Sequence, residues 1–320
     1  MKQISQVACR RTGCLFFCLL LGACAGTPQS DSLVASIPEA FKQPVELSAV
    51  PFYPQKDYQC GPAALATVIR YQGRDVDLAE LTRKVYIPER EGSLQLELMA
   101  AAREYELIPY VLAPELDTVL HEITAGRPVL VLQNLGVSWY PQWHYAVIVG
   151  YDLNTQEVIL RSGTIERYRL SLYTFEYTWR RGKHWAMILL KPGQLPLVGD
   201  DWRYMNAVVG FEQRNNWPLL NKAYQAGLER WPQSRELRMG YGNSLYMQGQ
   251  TAEALIQYEN VIADTSDFAT AYNNAGQVYA EWGQFEKAEH YVRRAISLGG
   301  VHIQQYRSTL NDIHRMQNKN

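Results

Sequence analysis

After Asp201 the sequence repeats itself every 34 residues, and that period leaves little freedom for what this half can fold into. Gly242 recurs as Gly276, Gly249 as Gly283 and Ala254 as Ala288. One period earlier stand Val208, Asn215 and Leu220, with Phe211 and Trp217 at large apolar positions and Pro232 at the end of the unit. A unit of this length holds two helices and a turn, and buries its apolar face only against its neighbours, so about three units are the minimum for a stable stack. The small residues let paired helices approach, while Tyr272, Tyr279 and Phe285 fill the gaps between them. A polar helix over residues 302–316 is expected to close the exposed end. The 320 residues exceed what one core usually serves, which points to a second domain before the repeats, with the Gly- and Pro-containing stretch 193–200 as linker.

The chain begins with Lys2, Arg10 and Arg11 ahead of a short apolar run, Cys14 to Leu21. That is the layout of an export signal, too short for a membrane span. Its end, Leu21-Gly22-Ala23-Cys24, resembles the bacterial lipobox, which implies cleavage after residue 23 and lipid attachment to the Cys24 sulfur. Ala25 rather than aspartate follows, which by the enterobacterial sorting rule implies the outer membrane, facing the periplasm. Loss of residues 1–23 leaves 28 basic against 32 acidic residues, a balance that argues for neither nucleic acid nor an anionic surface. Of five cysteines, Cys9, Cys14 and Cys18 leave with the signal and Cys24 is lipidated, so Cys60 is the one free thiol of the mature chain. Residues 24–44, rich in Gly, Pro and Ser, read as a tether.

Cys60 opens the run CGPAALATVIRYQG. Pro62 suits a first helical turn, Leu65, Val68 and Ile69 share a face, and Gly73 is a stop. The thiol thus lies among free N–H groups at the positive end of a helix, which favours a thiolate. Asp77 is expected to cap a second helix through Val85, and Ser93 a third with Leu94, Leu98 and Ala101 inward and Glu97 and Arg103 outward. A strand near 108–112, a helix from Pro114 to Thr124 and a strand at 128–133 follow. HYAVIVGY, from His144, pairs with residues 157–161 as a hairpin. A helix over 170–180 and a strand over 184–190 complete the domain.

A cysteine nucleophile needs a base, a group to orient that base and donors for the oxyanion. Gln55, the run from Cys60 and HYAVIVGYD from His144 together resemble papain-like cysteine peptidases, and more closely the bacteriocin-leader (double-glycine) peptidase family, over about residues 45–190. The resemblance implies Cys60 as nucleophile, His144 as base, and Gln55 with the Cys60 N–H as oxyanion donors. The family's orienting aspartate falls here on Ser162, whose hydroxyl is expected to accept the imidazole Nδ1 proton. Thr164 and Glu166 are the alternatives by hairpin register. Asp152 lies at the far end of the histidine strand, roughly 26 Å away at ~3.3 Å per residue. His184 precedes a similar strand and is the rival base. His121 reads as a surface residue. Trp139, Tyr140 and Trp143 either wall the cleft or pack at the domain edge. No cofactor or metal is expected: the histidines are scattered, and neither a phosphate loop nor a dinucleotide fingerprint occurs.

The tandem Gly and Ala positions after 201 resemble the tetratricopeptide repeat. The expectation is therefore an α+β papain-like cysteine peptidase domain at 45–192, an all-α tetratricopeptide-repeat domain at 201–300, and a capping helix and tail at 301–320. The implied activity is peptide-bond hydrolysis, with a peptide or protein substrate, a protein partner on the repeats and the membrane reached through the lipid. Two rivals stand beside it: an inactive adaptor working through its repeats, and an acyl transferase using the same Cys–His machinery.

Overall fold

The computed structural model describes residues 26–55, 59–137 and 139–319. The signal segment and Cys24 lie outside them. Seven strands form one antiparallel sheet: β1 Val45–Glu46, β2 Ile108–Val111, β3 Val129–Asn134, β4 Trp143–Asp152, β5 Glu157–Ser162, β6 Ile165–Ser171 and β7 Ala186–Leu190. The order is β2-β7-β3-β4-β5-β6, with β1 on the far end of β4. Both faces are covered, so the central strands are apolar on both. Leu130, Val147, Val149 and Met187 turn to one side, and Val131, Ala146, Ile148 and Ile188 to the other.

The first side packs against α2 Cys60–Tyr71, α3 Leu78–Val85 and α4 Gln95–Glu104, the second against α5 Leu116–Thr124 and α6 Leu172–Arg181. Helix α2 is buried on every side from Gly61 to Ile69 rather than along one stripe, because Ala63, Ala64 and Ala66 let α3, α4 and the sheet all close in. Gly61 has no alternative: a Cβ there would lie 2.6 Å from the Ser93 hydroxyl. Asp77 caps α3, accepting from the Ala79 and Glu80 amides. Ser93 does not cap α4. Leu94 holds the cap position without a side-chain bond, and Ser93 is turned against Gly61 instead. Nor do Glu97 and Arg103 point outward. One Glu97 oxygen is buried, and Arg103 runs beneath Gly210.

The stretch read as a tether is packed structure from residue 28 on. Helix α1, Pro28–Ala35, lies against α5 and α6, and the Glu176 carboxylate accepts from the Gln29 and Ser30 amides of its first turn at 3.1 and 2.6 Å. Phe41 is fully buried, edge-on to His121 and Tyr151 at 4.6 and 5.8 Å. Two apolar anchors, Leu33 and Phe41, outweigh a composition that otherwise reads as linker.

Seven helices follow: α7 Asp201–Val209, α8 Trp217–Arg230, α9 Arg235–Met247, α10 Thr251–Asp264, α11 Ala269–Glu281, α12 Phe285–Leu298 and α13 Ile303–Gln317. Corresponding helices of the three pairs begin 34 residues apart, and α13 packs on the last pair. The turn inside each pair needs a left-handed residue, supplied by Gly249 and Gly283 at φ 76° and 71° and, in the divergent first unit, by Asn215 at φ 53°. This first unit shares its core with the sheet domain: Tyr204, Val208, Phe211 and Tyr224 pack in one cluster with Tyr110, Ile188 and Leu190. The 193–200 stretch is pinned between them. The Leu197 amide donates to Glu122 at 2.6 Å, and Arg230 donates to the Leu197 carbonyl at 2.8 Å.

Candidate active site

Cys60 is the first residue of α2 and half-buried. The backbone N–H groups of Tyr145, Gly61 and Cys60 itself lie close enough to the sulfur to favour its thiolate form. Burial nevertheless pushes the thiol above its ordinary range, and the amides reduce that rise without reversing it. The helix start alone therefore does not give a resting thiolate.

The Tyr145 peptide is available because of where β5 stops. The β4–β5 ladder ends with Val147 opposite Arg161, so Tyr145 has no strand partner on that side. Opposite it on β3, Leu132 gives its own N–H to the Trp185 carbonyl at 3.2 Å, away from β4. The two free groups of Tyr145 are taken up by the site residues. Its N–H lies by the Cys60 sulfur, and its carbonyl accepts from Gln55 Nε2 at 3.3 Å. Gln55 is fixed at its backbone, donating to the Gly163 carbonyl at 2.9 Å.

His144, the residue before Tyr145, has Nε2 2.8 Å from the Ser162 hydroxyl. The contact uses Nε2 where Nδ1 was expected, which leaves Nδ1 as the nitrogen without that partner. The hairpin that carries the two residues has a bulge between Ile148 and Gly150, which shifts its register by one residue. Burial lowers the imidazole below its usual pKa. Raised thiol and lowered imidazole together make both groups neutral at rest.

The other candidates are elsewhere. Thr164 lies in the turn after Gly163, and the Glu166 side chain is exposed while its carbonyl accepts from the buried Arg161 at 2.7 Å. Asp152 closes the far turn, accepting from Asn154 at 3.0 Å. His184 sits edge-on to Trp179 at 4.7 Å, with Nε2 buried and unpartnered among the described residues. His121 is half-buried, its Nδ1 3.1 Å from the Asp117 carboxylate. Trp139, Tyr140 and Trp143 are all exposed.

Two residues of the surroundings, Tyr145 and Trp185, were not singled out from the sequence. Tyr145 donates its hydroxyl to the Ser93 carbonyl at 3.2 Å, and Trp185 stands edge-on to it at 5.9 Å. Burial raises the Tyr145 phenol, and the neighbouring Glu97 carboxylate adds to the rise. The alternation along β4 signals Tyr145: if His144 begins the site, the next side chain turns toward the helix face. Ser93 and Glu97 each carry a buried oxygen with no partner among the described residues.

Residues 47–186 match the family model described as "Peptidase_C39 like family". The N-terminal domain is a C39-like peptidase domain. Residues 242–283 match a tetratricopeptide-repeat model, so this domain is followed by a repeat region. Among solved structures, a protein described as a C39-like peptidase from Bacillus anthracis is 19% identical, with a TM-score of 0.40 over 47% of this chain and 98% of its own. The peptidase domain of Streptococcus ComA is 19% identical, with a TM-score of 0.37 over 44% and 98%. A repeat domain of yeast Sti1 is 14% identical, with a TM-score of 0.34 over 36% and 96%. No curated protein matches the chain.

Proposed function

We propose that the chain is an exported, lipid-anchored cysteine peptidase that cleaves peptide bonds through Cys60, with its repeats recruiting substrate or a partner protein. The observation that carries this reading is the convergence on the backbone of one residue: the Gln55 amide donates to the carbonyl of Tyr145, the residue next to His144, and the Tyr145 N–H lies by the Cys60 sulfur. The residues were proposed as a set from their sequence context, and a buried core cysteine has no reason to gather them.

In this mechanism the pair starts neutral, so the thiol proton moves to His144 Nδ1 as the sulfur attacks the substrate carbonyl. The C–S bond forms, and the oxyanion is held by the Cys60 N–H and a Gln55 N–H. A primary amide has two such hydrogens, so Gln55 serves the oxyanion without leaving Tyr145. With its proton on Nε2, His144 donates to Ser162, which leaves the Nδ1 lone pair free to take the thiol proton. His144 then protonates the departing amine as the C–N bond breaks. Water next attacks the thioester, giving a proton to His144. The C–S bond breaks, and the sulfur recovers its proton.

One observation favours a second reading, a weak or inactive domain serving as adaptor. Ser162 presents a hydroxyl where a carboxylate would stabilise imidazolium better. Incubation with peptides containing a Gly-Gly site, followed by mass spectrometry with and without an added amine, tests both. Hydrolysis products absent from Cys60→Ala support the peptidase. Amine adducts point to acyl transfer. No product from either protein refutes catalysis.

A further inference from the structure

Leu135, Val137, Trp139 and Tyr140 on the loop joining β3 to β4, and Trp143 at the start of β4, are apolar side chains standing in solvent, with Trp139 86% exposed. The loop is built to present them. The Asn134 side-chain oxygen accepts from the Gly136 and Gln142 amides at 3.0 and 2.9 Å, and Val137 and Tyr140 bridge across its tip. Arg181, from the end of α6, donates to the Gly136 carbonyl. The preceding residue, Arg180, donates to the carbonyl of Gly26 at 2.8 Å. Two successive residues of one helix end thus hold both the aromatic loop and the start of the described chain. Cys24 is two residues before Gly26, within about 7 Å at ~3.5 Å per extended residue. A lipid on Cys24 would therefore bring this corner of the molecule to the bilayer surface with no slack.

We infer that the loop around Trp139 and the end of α6 form a membrane-docking face, with the aromatic side chains entering the headgroup region beside the lipid on Cys24. The chemistry of the corner fits that occupant. Amphipathic aromatic rings settle at the membrane–water interface, and adjacent cations add attraction to anionic headgroups. Here Arg180 and Arg181 lie over the half-exposed Tyr177 ring, at 5.5 and 4.5 Å, and exposed Lys183 follows. Trp143 directly precedes His144, so a docked face sets the candidate active site close to the membrane surface and selects for substrates held there.

The inference rests on the reading of Cys24 as lipid-bearing, and two measurements keep the two apart. Intact mass of the protein from membranes, against Cys24→Ala, reports the lipid alone. Quenching of tryptophan fluorescence by brominated phospholipid in phosphatidylethanolamine–phosphatidylglycerol vesicles reports the face alone. It is measured on the exported chain lacking the lipid, from Ala25 onward. Expected are quenching of this chain, its loss in Trp139→Ser/Tyr140→Ser, and vesicle affinity at least about tenfold weaker in that variant. Circular dichroism and the alkylation rate of Cys60 should stay unchanged. Absence of quenching, with the acyl mass present on Cys24, overturns the docking face and leaves the anchor standing. So does a Trp139 signal that responds to Gly-Gly peptide but not to brominated lipid, since the loop would then serve the substrate. Quenching without an acyl mass supports the face and refutes the lipid reading.

Discussion

Replacing Ser162 by aspartate puts a carboxylate where the hydroxyl now stands 2.8 Å from His144 Nε2. The position is half-buried rather than enclosed. An opposite charge at such range raises a histidine by about 1–3 pKa units, which at ~1.36 kcal/mol per unit is roughly 1.4–4 kcal/mol in favour of imidazolium. The imidazolium–thiolate pair gains the same amount over the neutral pair, so its population at neutral pH rises about 10- to 1000-fold. In the native protein the sign runs the other way. A free thiol is only about 3% ionised at pH 7, and burial takes Cys60 below that. Iodoacetamide alkylation measured from pH 5 to 10 reads the difference. The native protein should show one rise with a midpoint above about 8.5, and Ser162→Asp a second, earlier rise below neutral pH that His144→Ala abolishes. Superimposable profiles for native and Ser162→Asp proteins of equal thermal stability would refute the Ser162–His144 pairing and the neutral-pair mechanism derived from it.

Removing one oxyanion donor typically costs about 10²–10³ in kcat, so Gln55→Ala should lower kcat by that order with little change in KM; an unchanged kcat removes Gln55 from the reaction. Asn215→Gly should be neutral to slightly stabilising, and Asn215→Val should lose about 1–3 kcal/mol by thermal denaturation, because φ 53° is strained for a branched side chain. Gly276→Leu places a Cβ 2.5 Å from Val292, so chemical denaturation should show a loss of about 1–3 kcal/mol or more, with Cys60 alkylation retained. If alkylation were lost as well, the repeats and the candidate site would be coupled more tightly than the shared first unit implies.

Much of the architecture was readable where apolar periodicity is strong. The 34-residue period located all the helices of the repeats, and the runs beginning at His144 and Cys60 located the strand and helix that carry the candidate site. What was missed lacks that signal. Strand β6 reads IERYRLS, an edge strand mostly exposed and studded with charge, so it has no apolar face to detect. Residues 28–41 carry only two anchoring side chains in a polar context. Which nitrogen of His144 meets Ser162 is set by the rotamer of the ring, which a strand pattern does not encode. The sign of the Cys60 shift depends on how deeply α2 is buried among its neighbours, which helix position alone does not tell.

The core that joins the first repeat to the sheet changes what it means for this chain to be modular. Ending the chain at residue 192 would strip cover from Tyr110, Ile188 and Leu190, so the sheet domain should be insoluble or misfolded when produced alone. The first helix pair belongs to the core of the sheet domain, whereas the later pairs form a cluster of their own. It also makes the molecule a fixed jig. A protein held on the later repeats would stand at one distance and in one direction from Cys60.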